Sequence, residues 1–413
     1  MMYFYFYLIA FSLMGYGFIL SIYLRLSVNN FGSLGLLGII NLAIISYLTS
    51  LFINHGQIFN FIILLIGITS FFFNLRKFKN LKKELIYFFL IFSLLLLFIS
   101  IGKNHDDFPY YHFPYIQLLT DYSHPLGLGQ LNNGFRSPSS IFFISSLFFL
   151  PKIGIYLFHI TPAFIMGFAN IIFLKNILDK GLFQKEKMIS FLSLLFFIFI
   201  NVFFYRLSEH GTDRSGMILV LLSILFLIAL INNQKNSFQE TKINEELMKM
   251  IIILICFAAT IKPYYLINFS IFLLFVFFEH TRKIFLSLFF SRTFYVCLSL
   301  IIFTIFFTFI NSGCLIFPIT VTCFENLAWS LDKGLISQTN VWFELWSKGG
   351  AGPNYTVEER LEYISGLNWL SNWFEKYFFN KVFDFLIGIL ILSFILFLDF
   401  FNNYNSNKLI QKN

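Results

Sequence analysis

The sequence predicts an all-α, polytopic membrane protein of about eleven transmembrane helices, and three observations predict it. The chain of 413 residues is 58% hydrophobic and only 12% charged, whereas a soluble domain needs roughly a quarter of its residues charged to cover its surface. Apolar runs near 20 residues, the length that spans a hydrocarbon core of about 30 Å, recur along the chain. Finally, the net charge of +8 comes from Lys and Arg gathered in a few short loops, which orients helices in a bilayer and needs no nucleic acid to explain it. Nucleic-acid binding is therefore excluded, and the expected surroundings are membrane lipids. With 62 Phe in the chain, single phenylalanines carry little functional weight.

In order, the spans are expected at residues 3–24, 33–53, 57–74, 85–102, 153–175, 188–205, 216–232, 249–261, 264–279, 293–311 and 382–401. The first has neither the basic start nor the small-residue cleavage site of a signal peptide and reads as a retained helix. Residues 250–279 read as a hairpin broken at Lys262-Pro263, because basic residues bracket the segment on both sides. Residues 137–150, ending before Pro151, are too short to span easily and read as a half-buried or re-entrant helix. The whole of 1–413 reads as one transmembrane domain.

Orientation follows from the basic loops. Arg76, Lys77, Lys79, Lys82 and Lys83 form the densest cluster, and Lys180, Lys185 and Lys187 a second, so both loops are expected inside. Residues 103–136, 206–215 and 312–380 then face outward and can meet.

Those outward segments hold the candidate chemistry. Between residues 103 and 136 the chain turns polar, with Asp106 and Asp107 adjacent and His105, Tyr110, Tyr111, His112, Asp121, His124 and Arg136 around them. Neighbouring carboxylates repel, so one can stay ionised as a base while the other holds a cation or a hydroxyl. A pair of solvated loop acids is the plainer reading. Past Pro109, residues 110–121 are expected as a short surface helix with Tyr111, Tyr115 and Leu118 on one face. Arg136, Arg206, Arg214 and Lys262 are cations at outward helix ends, where charge bias alone would not place them. Snorkelling to headgroups is the alternative. Lys262, at a helix break, is the strongest of the four, and Asp213, Glu209 and His210 could add ligands.

Cys256 and Cys297 lie in apolar helices, while Cys314 and Cys323 stand nine positions apart in an outward loop, where a disulfide is plausible. Every Trp in the protein, Trp329, Trp342, Trp346, Trp369 and Trp373, falls in the 312–380 loop. Stacking on sugar rings and resting on headgroups are both open.

A membrane helix followed by an outward loop that opens on an acidic pair, then a surface helix and a small-residue turn, resembles the GT-C superfamily of integral-membrane glycosyltransferases. More narrowly, DFPYYH over 107–112, GLGQL over 127–131 and SPSS over 137–140 resemble bacterial membrane proteins with Asp-x-x-x-Tyr-His and Gly-Leu-Gly-x-Leu motifs. Weaker echoes are Gly211-Thr212-Asp213, Ile261-Lys262-Pro263 and the segment from Cys314 to Trp329. The resemblance implies that Asp107 is the base, with Asp106 as its partner, and that the site faces the extracytoplasmic side of a bacterial inner membrane. It departs from many GT-C members in having three helices before the one that leads into the loop.

No nucleotide-sugar pool exists outside that membrane, so the implied donor is a sugar on a polyprenyl phosphate and the implied acceptor a glycan or lipid. His112, Tyr111, Arg136, Lys262, Arg206 and Asp213 are the expected substrate contacts. Asp106 with His112 is a possible divalent-metal pair that selects no particular ion. Two rivals come from other classes: a transporter or lipid flippase, favoured by the Lys262-Pro263 and Thr161-Pro162 breaks, and an O-antigen-type polymerase or ligase.

Overall fold

The computed structural model describes all residues except 29, 79, 102–106, 181–186, 204–211, 233–237, 278, 353, 384–385, 392 and 395–413. The second basic loop around Lys185, half of the expected last span and the C-terminal tail therefore lie outside the described residues. The protein is nearly all-α. It forms two compact units, residues 1–315 and 316–413.

The first unit contains α1 (Met2–Leu24), α2 (Phe31–Ser50), α3 (Gln57–Asn74), α4 (Leu81–Ile101), α5 (Phe113–Asp121), α6 (Ser140–Ser146) and α7 (Thr161–Lys180). It continues with α8 (Lys187–Phe203), α9 (Thr212–Asn232), α10 (Phe238–Ile261), α11 (Ile271–Phe277), α12 (Glu279–Leu288) and α13 (Arg292–Ser312). Six helices among the described residues are long and apolar enough to cross a membrane: Met2–Leu24, Phe31–Ser50, Gln57–Lys77, Thr161–Asp179, Thr212–Asn232 and Arg292–Ser312. Met188–Phe203 and Pro263–Phe277 are apolar but shorter. The chain is thus suited to be an integral membrane protein.

Three expectations shift. The span expected from 153 starts at Thr161, because residues 153–160 turn through Gly154 (φ +59°) and a short 3-10 stretch before Pro162 opens the helix. The broken hairpin is lopsided. Its first limb is the 24-residue α10, since the Glu- and Lys-rich stretch before residue 249 is helical too, and its second is a 3-10 run, Pro263–Ser270, followed by the seven-residue α11. A third concerns residues 110–121: Pro114 follows a π-helical turn at Phe108–His112, and α5 packs Tyr115 fully into the core while Leu118 stays half-buried. The segment from 137 is a seven-residue helix, all of it buried, about 10 Å long and too short to cross.

Close helix packing depends on small residues. A Cβ added at Gly17 would lie 1.9 Å from Leu34 O, and one at Gly38 would lie 1.7 Å from Leu13 O, so α1 and α2 touch backbone to backbone. Without a strong hydrophobic drive between helices in lipid, such contact supplies the dispersion energy that holds them.

Two sets of polar contacts lie at opposite ends of the helices. At the basic end, Glu84 accepts from Phe31 N at 2.9 Å and pairs with Lys175, Lys83 pairs with Asp179, and Lys249 and Arg292 donate to Leu24 O and Tyr23 O. At the loop end, His124 N donates to Ser50 O at 2.7 Å, His55 N to Leu119 O at 2.8 Å and Gly127 N to Ile310 O at 2.8 Å. Ser145 meets Thr161, and Thr260 donates to Ser140. Ends of α2, α10 and α13 and the starts of α3, α7 and α9 therefore share one end with residues 107–136.

The second unit is smaller. Asp332 caps α14 (Lys333–Ser347) by accepting from Leu335 N at 3.1 Å, and Ala351–Gly352 pairs antiparallel with Tyr355–Thr356. Cys314 and Cys323 are disulfide-bonded, whereas Cys256 and Cys297 are buried free thiols.

Candidate functional site

At the loop end, the π-helical turn at Phe108–His112 stacks Asp107 and Tyr111 one turn apart. Tyr111 Oη donates to Asp107 Oδ2 at 3.2 Å. Its ring lies against the backbone of the 132–136 turn: a Cβ at Gly134 would meet Tyr111 Cγ at 2.2 Å, so only a residue without one fits there. Asn132 holds that turn by accepting from Gly134 N and donating to Tyr110 O. Burial pushes the Tyr111 phenol well above its ordinary value, and the nearby carboxylates of Asp107 and then Asp213 raise it further.

The same field brings in the second cluster. Asp213, in the first turn of α9, forms an ion pair with Lys262 and receives through its backbone carbonyl the hydroxyl of Tyr265. Lys262 sits where α10 has ended, in extended backbone (φ −147°, ψ 133°) ahead of Pro263, so its side chain is presented from a helix break and is one-third exposed. Asp107 with Tyr111 on one segment, and Asp213 with Lys262 on two others, are thus two polar pairs at the same end of the helices.

The other expected residues are placed as follows. His112 is buried, with its ring 4.8 Å from Phe142 and 4.4 Å from Tyr111. Arg136 is buried with Nε donating to Gly129 O at 3.2 Å, and burial lowers its guanidinium from the usual value. Asp106 and Arg206 lie outside the described residues, as do His105, Glu209 and His210. No three of His, Cys, Asp and Glu converge among the described residues.

Two buried polar nodes escaped the sequence. Asn311, at the end of α13, donates to Tyr115 Oη at 3.1 Å and to Phe135 O at 2.7 Å, and Tyr115 Oη meets His124 Nε2 at 2.8 Å. The phenolic hydrogen is left for Nε2, which suits a neutral imidazole. Burial pushes the His124 ring down to about 4. In the second node, His55 Nδ1 meets Ser146 Oγ at 2.6 Å and Nε2 meets Thr49 Oγ1 at 2.9 Å, while Asn60 donates to the carbonyls of Ser146 and Phe149. His55 is likewise pushed to about 4 by burial. Together the nodes tie α6 and the 107–136 segment to the ends of α2, α3 and α13. The only signal in the sequence was polarity itself, Asn54-His55 and Asn60 beside apolar runs.

A family model described as a domain of unknown function (DUF8201) matches residues 1–411. No curated protein and no solved structure matches the chain.

Proposed function

The chain belongs to the DUF8201 family, whose description carries no activity, and we propose that it is a membrane glycosyltransferase acting on a polyprenyl-phosphate-linked sugar. One observation carries this reading: a carboxylate held by a phenol, Asp107 with Tyr111, shares the loop end with a Lys–Asp pair at a helix break. In the reading, that end faces the extracytoplasmic side of a bacterial inner membrane, opposite the basic end, as the bias of Lys and Arg requires.

Asp107 takes the proton of the acceptor hydroxyl as its oxygen bonds to the anomeric carbon, with inversion. The bond from that carbon to the carrier phosphate breaks, and its electron pair leaves with the phosphate. Lys262 stabilises the departing charge once it exchanges Asp213 for the phosphate. Tyr111, whose phenol stays protonated, orients Asp107 and does not itself take a proton. Arg136 supports the turn beneath Tyr111 through Gly129. His112 sits among aromatic rings, so no step is assigned to a metal.

The test compares extracted surface glycans in cells carrying wild type, Asp107→Asn or Lys262→Ala at matched expression. Transfer should fall roughly 10²- to 10⁴-fold with Asp107→Asn, the share that general-base catalysis supplies. Unchanged glycans in that variant, beside a clear defect in the deletion strain, would leave transport or assembly.

A further inference from the structure

We infer that α14 of the second unit is an interfacial helix whose Leu335–Trp342–Trp346 face rests in the headgroup region of the lipid bilayer. This rests on the surface chemistry of that unit and not on the transferase reading. Spacings of seven and four put these three side chains on one face of the helix, and they are 40%, 40% and 38% exposed. The two indoles stand 5.0 Å apart, tilted by 40°. Trp369 turns its N–H to Gly366 O at 3.0 Å, but neither Trp342 nor Trp346 makes a hydrogen bond among the described residues. An indole with an apolar body and a free N–H suits a boundary that is greasy on one side and wet on the other.

Charge separates this occupant from a sugar. A sugar platform places carboxylates beside the rings to bind hydroxyls, and this stripe has none: Glu344 lies on the opposite face, tied to Lys348 at 2.6 Å, and the exposed amide of Gln338 is uncharged. An apolar stripe opposite a charged face is the pattern of helices that lie in the interface plane. The unit also continues into an apolar stretch, with Leu386, Ile387, Ile389, Leu390 and Ile391 all exposed, which hydrocarbon alone would cover.

The test uses the full chain, because all five Trp lie in this unit and selectively excited tryptophan emission reports on nothing else. Emission is compared in vesicles of phosphatidylcholine and of phosphatidylcholine brominated on the acyl chain near the headgroup. Brominated lipid should quench the emission, and Trp342→Phe with Trp346→Phe should remove most of the quenched fraction while Phe keeps the apolar surface and the fold. Equal emission in the two lipids would overturn the assignment. So would emission insensitive to brominated lipid but altered by added oligosaccharide, which would make the stripe a sugar platform.

Discussion

Tyr111 donates its phenolic hydrogen to Asp107 across 3.2 Å, and a residue so tied to its partner should share its fate in a double-mutant cycle. Tyr111→Phe keeps the ring seated on Gly134 and removes only the hydroxyl. Transfer should drop by about tenfold, the cost of one hydrogen bond to a charged group. Adding Tyr111→Phe to Asp107→Asn should cost little more than Asp107→Asn alone. Additive losses in initial-rate assays would mean that the phenol acts independently of the carboxylate.

Lys262 and Asp213 should give effects of opposite sign. Lys262→Ala deletes the cation offered to the carrier phosphate, so KM for the lipid-linked donor should rise by about tenfold or more. Asp213→Asn releases Lys262 from its ion pair and should lower that KM. A rise in both variants would mark the pair as a structural tie between α9 and the end of α10.

Burial of His55 and of His124, as of His159, makes stability depend on pH. Each ring has an ordinary value of 6.5 and is pushed to about 4 in the folded protein. Between those values the unfolded chain binds protons that the folded one refuses, so stability is complete above about pH 6.5 and declines as pH falls toward 4. The full loss is about 3 kcal/mol for each histidine. Thermal denaturation in detergent should show Tm falling over that window, with His55→Gln and His124→Gln each flattening the slope. A flat Tm in the wild type would contradict the burial of these rings.

Thiol counting checks the cysteines. Denatured, non-reduced protein should take up two maleimides, at Cys256 and Cys297, and four after reduction. Four before reduction would show that Cys314 and Cys323 are open.

Length and greasiness made the membrane helices legible, and the broken segment at Lys262-Pro263 was visible because Pro cannot continue a helix. Hydropathy saw only the apolar half of α10, since its first turns carry Glu245, Glu246 and Lys249 on a helix that composition alone reads as loop. Asp107 and Tyr111 were legible as neighbours in a polar loop. Their nearness to Asp213 was not, because it depends on the start of α9 and the end of α10 lying at the same end as residues 107–136, which loop parity suggests but cannot position. Asn311 and Tyr115 are separated by 196 residues, and no local pattern pairs them.

That grouping of ends yields the last prediction. Asn54 and Ser123 are exposed at the loop end, where Asn54 donates to Thr120 O at 3.2 Å, whereas Ser27, bonded to Glu246, and Asn232 belong to the basic end. Loops rich in Lys and Arg stay on the cytoplasmic side. A cysteine at 54 or 123 should therefore react with an impermeant maleimide in intact cells, and one at 27 or 232 only after the membrane is opened. The positions must move as pairs. Labelling of 54 without 123 would break the assembly of α2, α3 and the 107–136 segment at one end, whichever way the protein faces, and labelling of 27 and 232 in intact cells would turn the whole molecule over and put the Asp107 cluster inside.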